Sequence, residues 1–296
     1  MKFYAKQIAP QLAAFHLLRA PCEDILPRPE TTSTIYETID AWLQESEYLL
    51  LSSSSSSTIS SVKEIERALL ARLSEEWIWL KEQLAAQPQP QLAMMGTTIQ
   101  QAAYAFIRRI TVTHMDCQPL NILVDVNAPV PRDNSSSSNG DNNNNDDVIN
   151  DHIQLRLIDF EYAGFNPAAA DIANTFCEYC EMSNLKANYE LEYPTAAQQD
   201  DFFWYYCRAY GSGKRSEFAI PDDRHSDEWK VFSATLQQEV GRFSLLSHLG
   251  WAVWSLVKSK EEDGVDFDYI FYANHRMDGY EWGKKKFFAE RYKTAS

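Results

Sequence analysis

Apolar residues recur every three to four positions through most of this chain, the spacing of amphipathic helices. Ile8, Leu12, Phe15, His16 and Leu18 share that spacing, as do Ile35, Ile39, Trp42 and Leu43 within 31–47. Ile65, Leu69, Leu70, Leu73, Trp77 and Leu80 predict a long helix over 63–87, which Pro88 and Pro90 end. A further helix is predicted over 97–109. After Asn121 the pattern changes: ILVDV and IQLRLIDF are short, apolar and β-rich. Between them lies the polar insert RDNSSSSNGDNNNNDD, residues 132–147. Two strands around such an insert predict a hairpin with an enlarged tip, because loop tips tolerate insertions. From Asn166 onward the helical spacing returns. Pro167 suits a first helical turn before AAADIANTFCEYCEM. Helices are then predicted from Thr195 to the stop at Gly211, over 227–260 and over 266–293. LSSSSSSTISS, residues 51–61, is low-complexity and predicts a flexible loop. The fold class is therefore mainly α with a small β-hairpin, and there is no internal repeat.

The polar residues around that hairpin carry chemistry. VTHMDCQPLNILVD, residues 112–125, sets Asp116 five positions before Asn121 on a loop leading into an apolar strand. LRLIDFEYAG, residues 155–164, ends a second apolar strand on Asp159. Phosphoryl transfer needs such a set: one carboxylate orients a hydroxyl, while an amide and another carboxylate hold Mg²⁺ against the phosphates. Asp116 is the candidate catalytic carboxylate, and His114 is expected to order its loop by hydrogen bonding. Asn121 and Asp159 are the candidate Mg²⁺ ligands, hard oxygens for a hard cation. The spacing follows the kinase pattern H-R-D-x-x-x-x-N. Alone that pattern is weak; with the strand–hairpin–strand context it is strong.

Composition narrows the partners. With 27 Lys and Arg against 42 Asp and Glu, the net charge of −15 leaves no basic footprint for nucleic acid. It does not oppose ATP, whose phosphates are neutralised by Mg²⁺ and local donors. No apolar run is long enough for a transmembrane segment. The opening MKFYAKQIAPQLAAFHLLRAP is broken by Pro10, Gln11, His16 and Arg19, which favours an amphipathic helix over a signal peptide and a cytoplasmic protein. The five cysteines fit a reducing compartment. Cys177 and Cys180 form a CxxC without a second pair, so they read as ordinary thiols.

Trp251 and Trp254 lie three apart and share one face of a helix. Spacing alone favours core packing for such a pair. The other reading is a cage for a quaternary ammonium, where each aromatic face is worth about 0.5–2 kcal/mol.

Taken together, these segments resemble the choline/ethanolamine kinase family, a branch of the kinase-like small-molecule phosphotransferases. HMDCQPLNIL is similar to the family's HNDCQxxNIL, and IDFEYAGFNPAAADIANTFCEY to its IDFEY…N…DI-N-FCE block. EVGRFSLLSHLGWAVWSLVKSK resembles EVNRF-L-SH--WGLWSI, FDYIFYANHRMDGY resembles FGYMDYA-AR-D-Y, and IAPQLAAFH resembles the helix after the hinge. The resemblance implies the C-terminal, helical lobe of the protein-kinase-like fold over 1–296. It implies ATP as co-substrate, Mg²⁺, and choline or ethanolamine as acceptor, in the first step of phosphatidylcholine or phosphatidylethanolamine synthesis. It assigns Asp116 as catalytic base and Asn121 and Asp159 as metal ligands, with Gln118 near the nucleotide and Glu161 behind the metal site. Glu178 would lie beside the cationic head, and Trp251, Trp254 and Tyr272 would line the choline pocket. A further pocket aromatic falls to Tyr179 or Tyr189. Met115 stands where the family has Asn. No Gly-rich loop or strand Lys precedes the motif, so an N-terminal ATP-clamping lobe is expected to be absent. Two alternatives stay open: a lobe that binds choline or a partner subunit without transferring phosphate, and an aminoglycoside-type phosphotransferase, which shares the HxDxxxxN logic but not the Trp251/Trp254 block. Homodimerisation is left open too.

Overall fold

The predicted periodicities become helices in a computed structural model of the protein, which describes residues 5–18, 33–52, 60–85, 98–125, 154–180, 187–210, 216–261 and 265–288. In chain order these hold α1 (Ala5–His16), α2 (Thr34–Ser52), α3 (Ser60–Ala85), α4 (Thr98–Arg108), β1 (Ile110–Thr113), β2 (Ile122–Asp125), β3 (Gln154–Leu157) and β4 (Gly164–Pro167). There follow α5 (Ala168–Cys177), the single turn α6 (Tyr189–Glu192), α7 (Ala196–Ala209), α8 (Asp227–Lys258) and α9 (Tyr269–Phe287).

Side-chain caps set several starts. Thr195 and Gln198 form a capping box at α7. The Ser226 hydroxyl accepts from the Trp229 amide at α8, and the Asp268 carboxylate accepts from the Phe271 amide at α9. The last cap explains why α9 begins at Tyr269 and not at 266, where its apolar pattern starts.

α8 is the beam of the structure, packing against α9, α5, α4, α2 and α3. Its contact with α9 depends on small residues. A Cβ at Gly279 would lie 2.5 Å from the His248 ring, and one at Gly283 would lie 2.9 Å from Leu245. The helices touch at distances that no larger residue permits there. α5 lies beneath α8 with every residue from Ala168 to Cys177 buried. Its four alanines give the close approach, and its polar residues must find partners inside.

The hairpin is present as β2 paired antiparallel to β3, with Ile122 opposite Leu157 and Asp125 opposite Gln154. Its insert, 132–147, lies outside the described residues. β3 stops at Leu157, two residues short of the predicted strand end at Asp159. A second antiparallel ladder pairs β1 with β4, Ile110 opposite Pro167 and Thr113 opposite Gly164. The sequence does not predict it, because GFNP contains three strand-disfavouring residues in four. Pro167 is accordingly the end of β4 and the N-cap of α5, and not its first helical turn. The serine run is also entered by helix from both sides: α2 continues through Ser52 and α3 begins at Ser60, while 53–59 lie outside the described residues. Among the described residues no helix is long and apolar enough to cross a membrane.

Candidate active site

The β1–β4 ladder delivers the loop after Thr113 onto the start of α5. There the main-chain N–H groups of His114 and Met115 donate to Asp171 Oδ2 and Oδ1, both at 2.8 Å. Met115 has φ 65°, a left-handed conformation that a non-glycine residue holds at a cost of about 1–3 kcal/mol. The bidentate grip of Asp171 holds it there. Asp171 is fully buried and also accepts from His16 Nε2 at 2.9 Å. His16 Nδ1 lies 2.5 Å from the Tyr206 hydroxyl, which in turn accepts from Arg109 at 2.6 Å. Burial pushes the His16 pKa down, more than the Asp171 bond and charge lift it. Burial would lift Asp171, but the His16 bond, the His16 charge and the two amides outweigh it and keep its carboxyl below the usual range. The consistent arrangement is a neutral His16 relaying one line of hydrogen bonds: Arg109 to Tyr206, Tyr206 to His16, His16 to a charged Asp171.

His114 is wholly buried. Its Nε2–H donates to the Ile158 carbonyl at 2.9 Å, and its Nδ1 accepts from the Asp116 amide at 3.2 Å. Asp116 Oδ2 accepts from Asn121 Nδ2 at 2.7 Å and from Gln118 Nε2 at 3.3 Å. Asn121 Nδ2 donates also to the Asp116 carbonyl at 3.0 Å. Burial, and then the negative charge of Glu178, push the Asp116 pKa up to about 7; the bonds from Gln118 and Asn121 oppose this, and Asp159 adds a little. Asp159 lies just past β3 with φ 65° and is exposed. The next residue, Phe160, stacks on Phe15 at 5.5 Å and leans on His114 at 5.1 Å. Glu161 is exposed. Because Asn121 spends its N–H groups on Asp116, its Oδ1 is the atom left to meet a cation. Among the described residues no three His, Cys, Asp or Glu side chains group closely enough to hold a metal. Mg²⁺ takes one or two protein oxygens and fills its shell with phosphate and water, and Asn121 Oδ1 and the exposed Asp159 carboxylate are hard oxygens of that kind.

A second cluster adjoins these carboxylates. Trp251 and Trp254, both on α8, meet edge to face at 5.4 Å. The Trp254 indole N–H donates to the Tyr162 hydroxyl at 2.9 Å, and Tyr162 stands edge-on to Trp251 at 5.1 Å. Tyr269 continues the line at 5.8 Å from Trp254, and Phe267 connects Tyr269 to Tyr272. The Tyr272 hydroxyl accepts from Arg276 Nε at 2.8 Å, and Arg276 donates to Glu178 at 2.5 Å. Burial pushes the Tyr272 pKa up to about 12. Burial would lower Arg276, but the charge of Glu178 outweighs it and holds the guanidinium charged. Tyr189 is turned away, its hydroxyl donating to the His275 carbonyl and its ring stacked on Trp282. Tyr179 is partly buried at the end of α5.

The structure thus brings Asp116, Asn121, Gln118 and His114 together, with Asp159 and Glu178 close enough to act on Asp116. Sequence reasoning missed Asp171, Asn174, Tyr162 and Arg276. For the first two a signal existed: they are the polar residues on one face of AAADIANTFC, a helix otherwise apolar enough to demand burial and partners.

The fold and the loop define the protein-kinase-like class. A family model described as choline/ethanolamine kinase matches residues 2–281, and the chain belongs to that family. It is similar to a probable ethanolamine kinase of Nematostella vectensis, 35% identical over 45% of this chain and 35% of that protein. It is likewise similar to choline kinase alpha of Mus musculus, 33% identical over 45% of this chain and 29% of the relative. The chain thus spans about a third of the length of these relatives. Among solved structures, a choline kinase from Cryptosporidium parvum superposes with a TM-score of 0.62 at 21% identity, covering 97% of this chain and 66% of the other. A Plasmodium vivax ethanolamine kinase gives 0.62 at 19% identity over 94% and 58%. These two likenesses show the fold.

Proposed function

We propose that this chain transfers the terminal phosphoryl group of ATP to the hydroxyl of choline or ethanolamine. The observation that carries the reading is Asp116: a buried carboxylate whose proton affinity lies near neutrality, between two candidate metal ligands and an aromatic, acidic pocket. Asp116 accepts the alcohol proton while the alcohol oxygen bonds to phosphorus and the bond to the ADP oxygen breaks. His114 and Asp171 hold the loop in place for that transfer, and Gln118 and Asn121 orient the carboxylate. Asn121 Oδ1 and Asp159 would hold Mg²⁺, which when bound neutralises phosphate charge. Glu161 supports that side of the site from the adjoining turn. Trp251, Trp254 and Tyr272 supply ring faces to an ammonium group, and Glu178 supplies the negative charge. Arg276 already offsets part of that charge, so the aromatic walls carry much of the cation's binding. We place the reaction in the cytoplasm, where the four described cysteines, Cys117, Cys177, Cys180 and Cys207, would stay reduced.

The test is calorimetric titration with choline, ethanolamine and kanamycin, each followed by MgATP, alongside a coupled assay for ADP. Heat from choline or ethanolamine, heat from MgATP and turnover that Asp116→Ala abolishes are expected. Binding of the alcohol without MgATP heat or turnover would leave an ammonium-binding lobe and defeat the kinase reading.

A further inference from the structure

Three polar groups lie along α5 and its C-cap, at positions 171, 174 and 178. Spacings of three and four put them on one face. Asp171 grips the catalytic loop, and Glu178 meets Arg276 beside the pocket aromatics. Asn174, between them, reaches α8. Its Oδ1 accepts from Ser247 Oγ at 2.7 Å and from the Trp251 indole N–H at 2.8 Å. Roughly 10 Å of helix, at about 1.5 Å per residue, separates the first group from the last. One buried helix therefore spaces the catalytic loop from the cation-facing charge and holds a ring of the pocket midway.

The residue type at 174 is informative. Asn174 is 1% exposed, and its Nδ2 has no partner among the described residues. It lines a small cavity with Met115, Tyr162, Trp251 and Trp42. An aliphatic side chain would strand the Ser247 hydroxyl and the Trp251 N–H. A carboxylate would accept both bonds without an orphan, but it would add a third negative charge near Asp116 and Glu178. The amide tolerates one unused N–H to keep a neutral acceptor facing the indole, and the indole bond is what that arrangement preserves.

We propose that Asn174 is a positioning residue for the ammonium pocket. Its Oδ1 fixes the rotation of the Trp251 ring, and Trp251 transmits that setting through edge-to-face contacts to Trp254 and Tyr162. Without the bond, the ring is free to turn its face from the cation. The inference rests on the ammonium-binding reading above.

Calorimetric titration of choline into wild-type, Asn174→Leu, Asn174→Asp and Ser247→Ala proteins tests it, with the Trp251 indole N–H resonance, assigned through Trp251→Phe, followed by NMR. Asn174→Leu should shift that resonance and weaken choline by about tenfold, the worth of one well-placed ring. Asn174→Asp keeps the acceptor and should return the resonance to its wild-type position. Ser247→Ala leaves the indole bond intact and should change affinity little. Wild-type affinity in Asn174→Leu overturns the proposal, as does weakened binding with an unmoved Trp251 resonance. Should Asn174→Leu not fold, hydrogen exchange of the Trp251 indole in the wild-type protein decides: slow exchange supports the tether, and exchange at the rate of an exposed indole overturns it. A wild-type protein that gives no choline heat sinks the functional reading itself, which separates the two failures.

Discussion

Asp116→Asn should make the ligand-free protein more stable, and increasingly so as pH rises. The Asp116 pKa is raised from 3.8 to about 7 by burial and by the charge of Glu178. A group whose proton affinity is higher folded than unfolded contributes stability while protonated, and loses it as pH climbs through the folded value. The full gap, at about 1.36 kcal/mol per pH unit, corresponds to roughly 4 kcal/mol above pH 7. Between about pH 5.5 and about pH 8.5, close to half of that, about 2 kcal/mol, should develop, and nearer 1 kcal/mol where water reaches the carboxylate. The Asn side chain can keep the bonds from Asn121 and Gln118 on its own oxygen, so only the charge is removed. Urea unfolding of both proteins in chelator at the two pH values measures the difference directly. The melting temperature should follow, with the advantage of the variant widening by about 2–4 °C per kcal/mol. An advantage that is constant with pH, or that shrinks toward alkaline pH, would mean that the Asp116 charge is not destabilised by its site, and the argument for its basicity would fall with it.

Asp171→Asn removes the charge that accepts from His16 and two loop amides; a loss of roughly 2–3 kcal/mol is expected, with faster hydrogen exchange at His114 and Met115 than in β1. Wild-type protection at those two amides would contradict the anchoring role. Gly279→Ala places a methyl against the His248 ring and should cost about 1–3 kcal/mol in thermal unfolding, since α8 and α9 must part to admit it. Arg276→Met leaves Glu178 without its buried cation and should destabilise by roughly 3–5 kcal/mol, most of it recovered in the Arg276→Met/Glu178→Gln double variant. Equal stability of the single and double variants would show that the ion pair is not coupled.

Much of the fold was legible because it is carried by local periodicity. Trp77, Leu73 and Leu80 declare α3 by spacing and Thr195 marks the start of α7, whereas the Asp268 cap, two residues inside the expected start at 266, went unread. The candidate set was legible for a different reason: Asp116 and Asn121 sit five apart on one loop, so their geometry is local. What failed to show was non-local. GFNP forms β4 only because Ile110–Thr113 is there to pair with it, and nothing in the four residues announces that. Arg276 looks like a surface charge until Glu178, 98 positions away, is brought beside it.

The backbone at the site was hidden for a further reason. Met115 and Asp159 both adopt φ 65°, and neither is a glycine that would advertise the turn. Asp is at least a type that tolerates the left-handed region; Met is not. Each is held from outside. Met115 is held by Asp171 through two amides, whereas Asp159 follows Ile158, whose N–H donates to the Asn121 carbonyl and whose carbonyl accepts from His114. The loop that carries Asp116 and the turn that carries Asp159 are therefore one hydrogen-bonded unit in which His114 is the shared member. The strain at both positions is sustained by buried bonds to residues far apart in sequence, so a change at Asp171 or His114 should disturb the Asp159 side as well as the Asp116 side. A sequence pattern that records only H-x-D-x-x-x-x-N names the residues of that unit without recording the coupling between them.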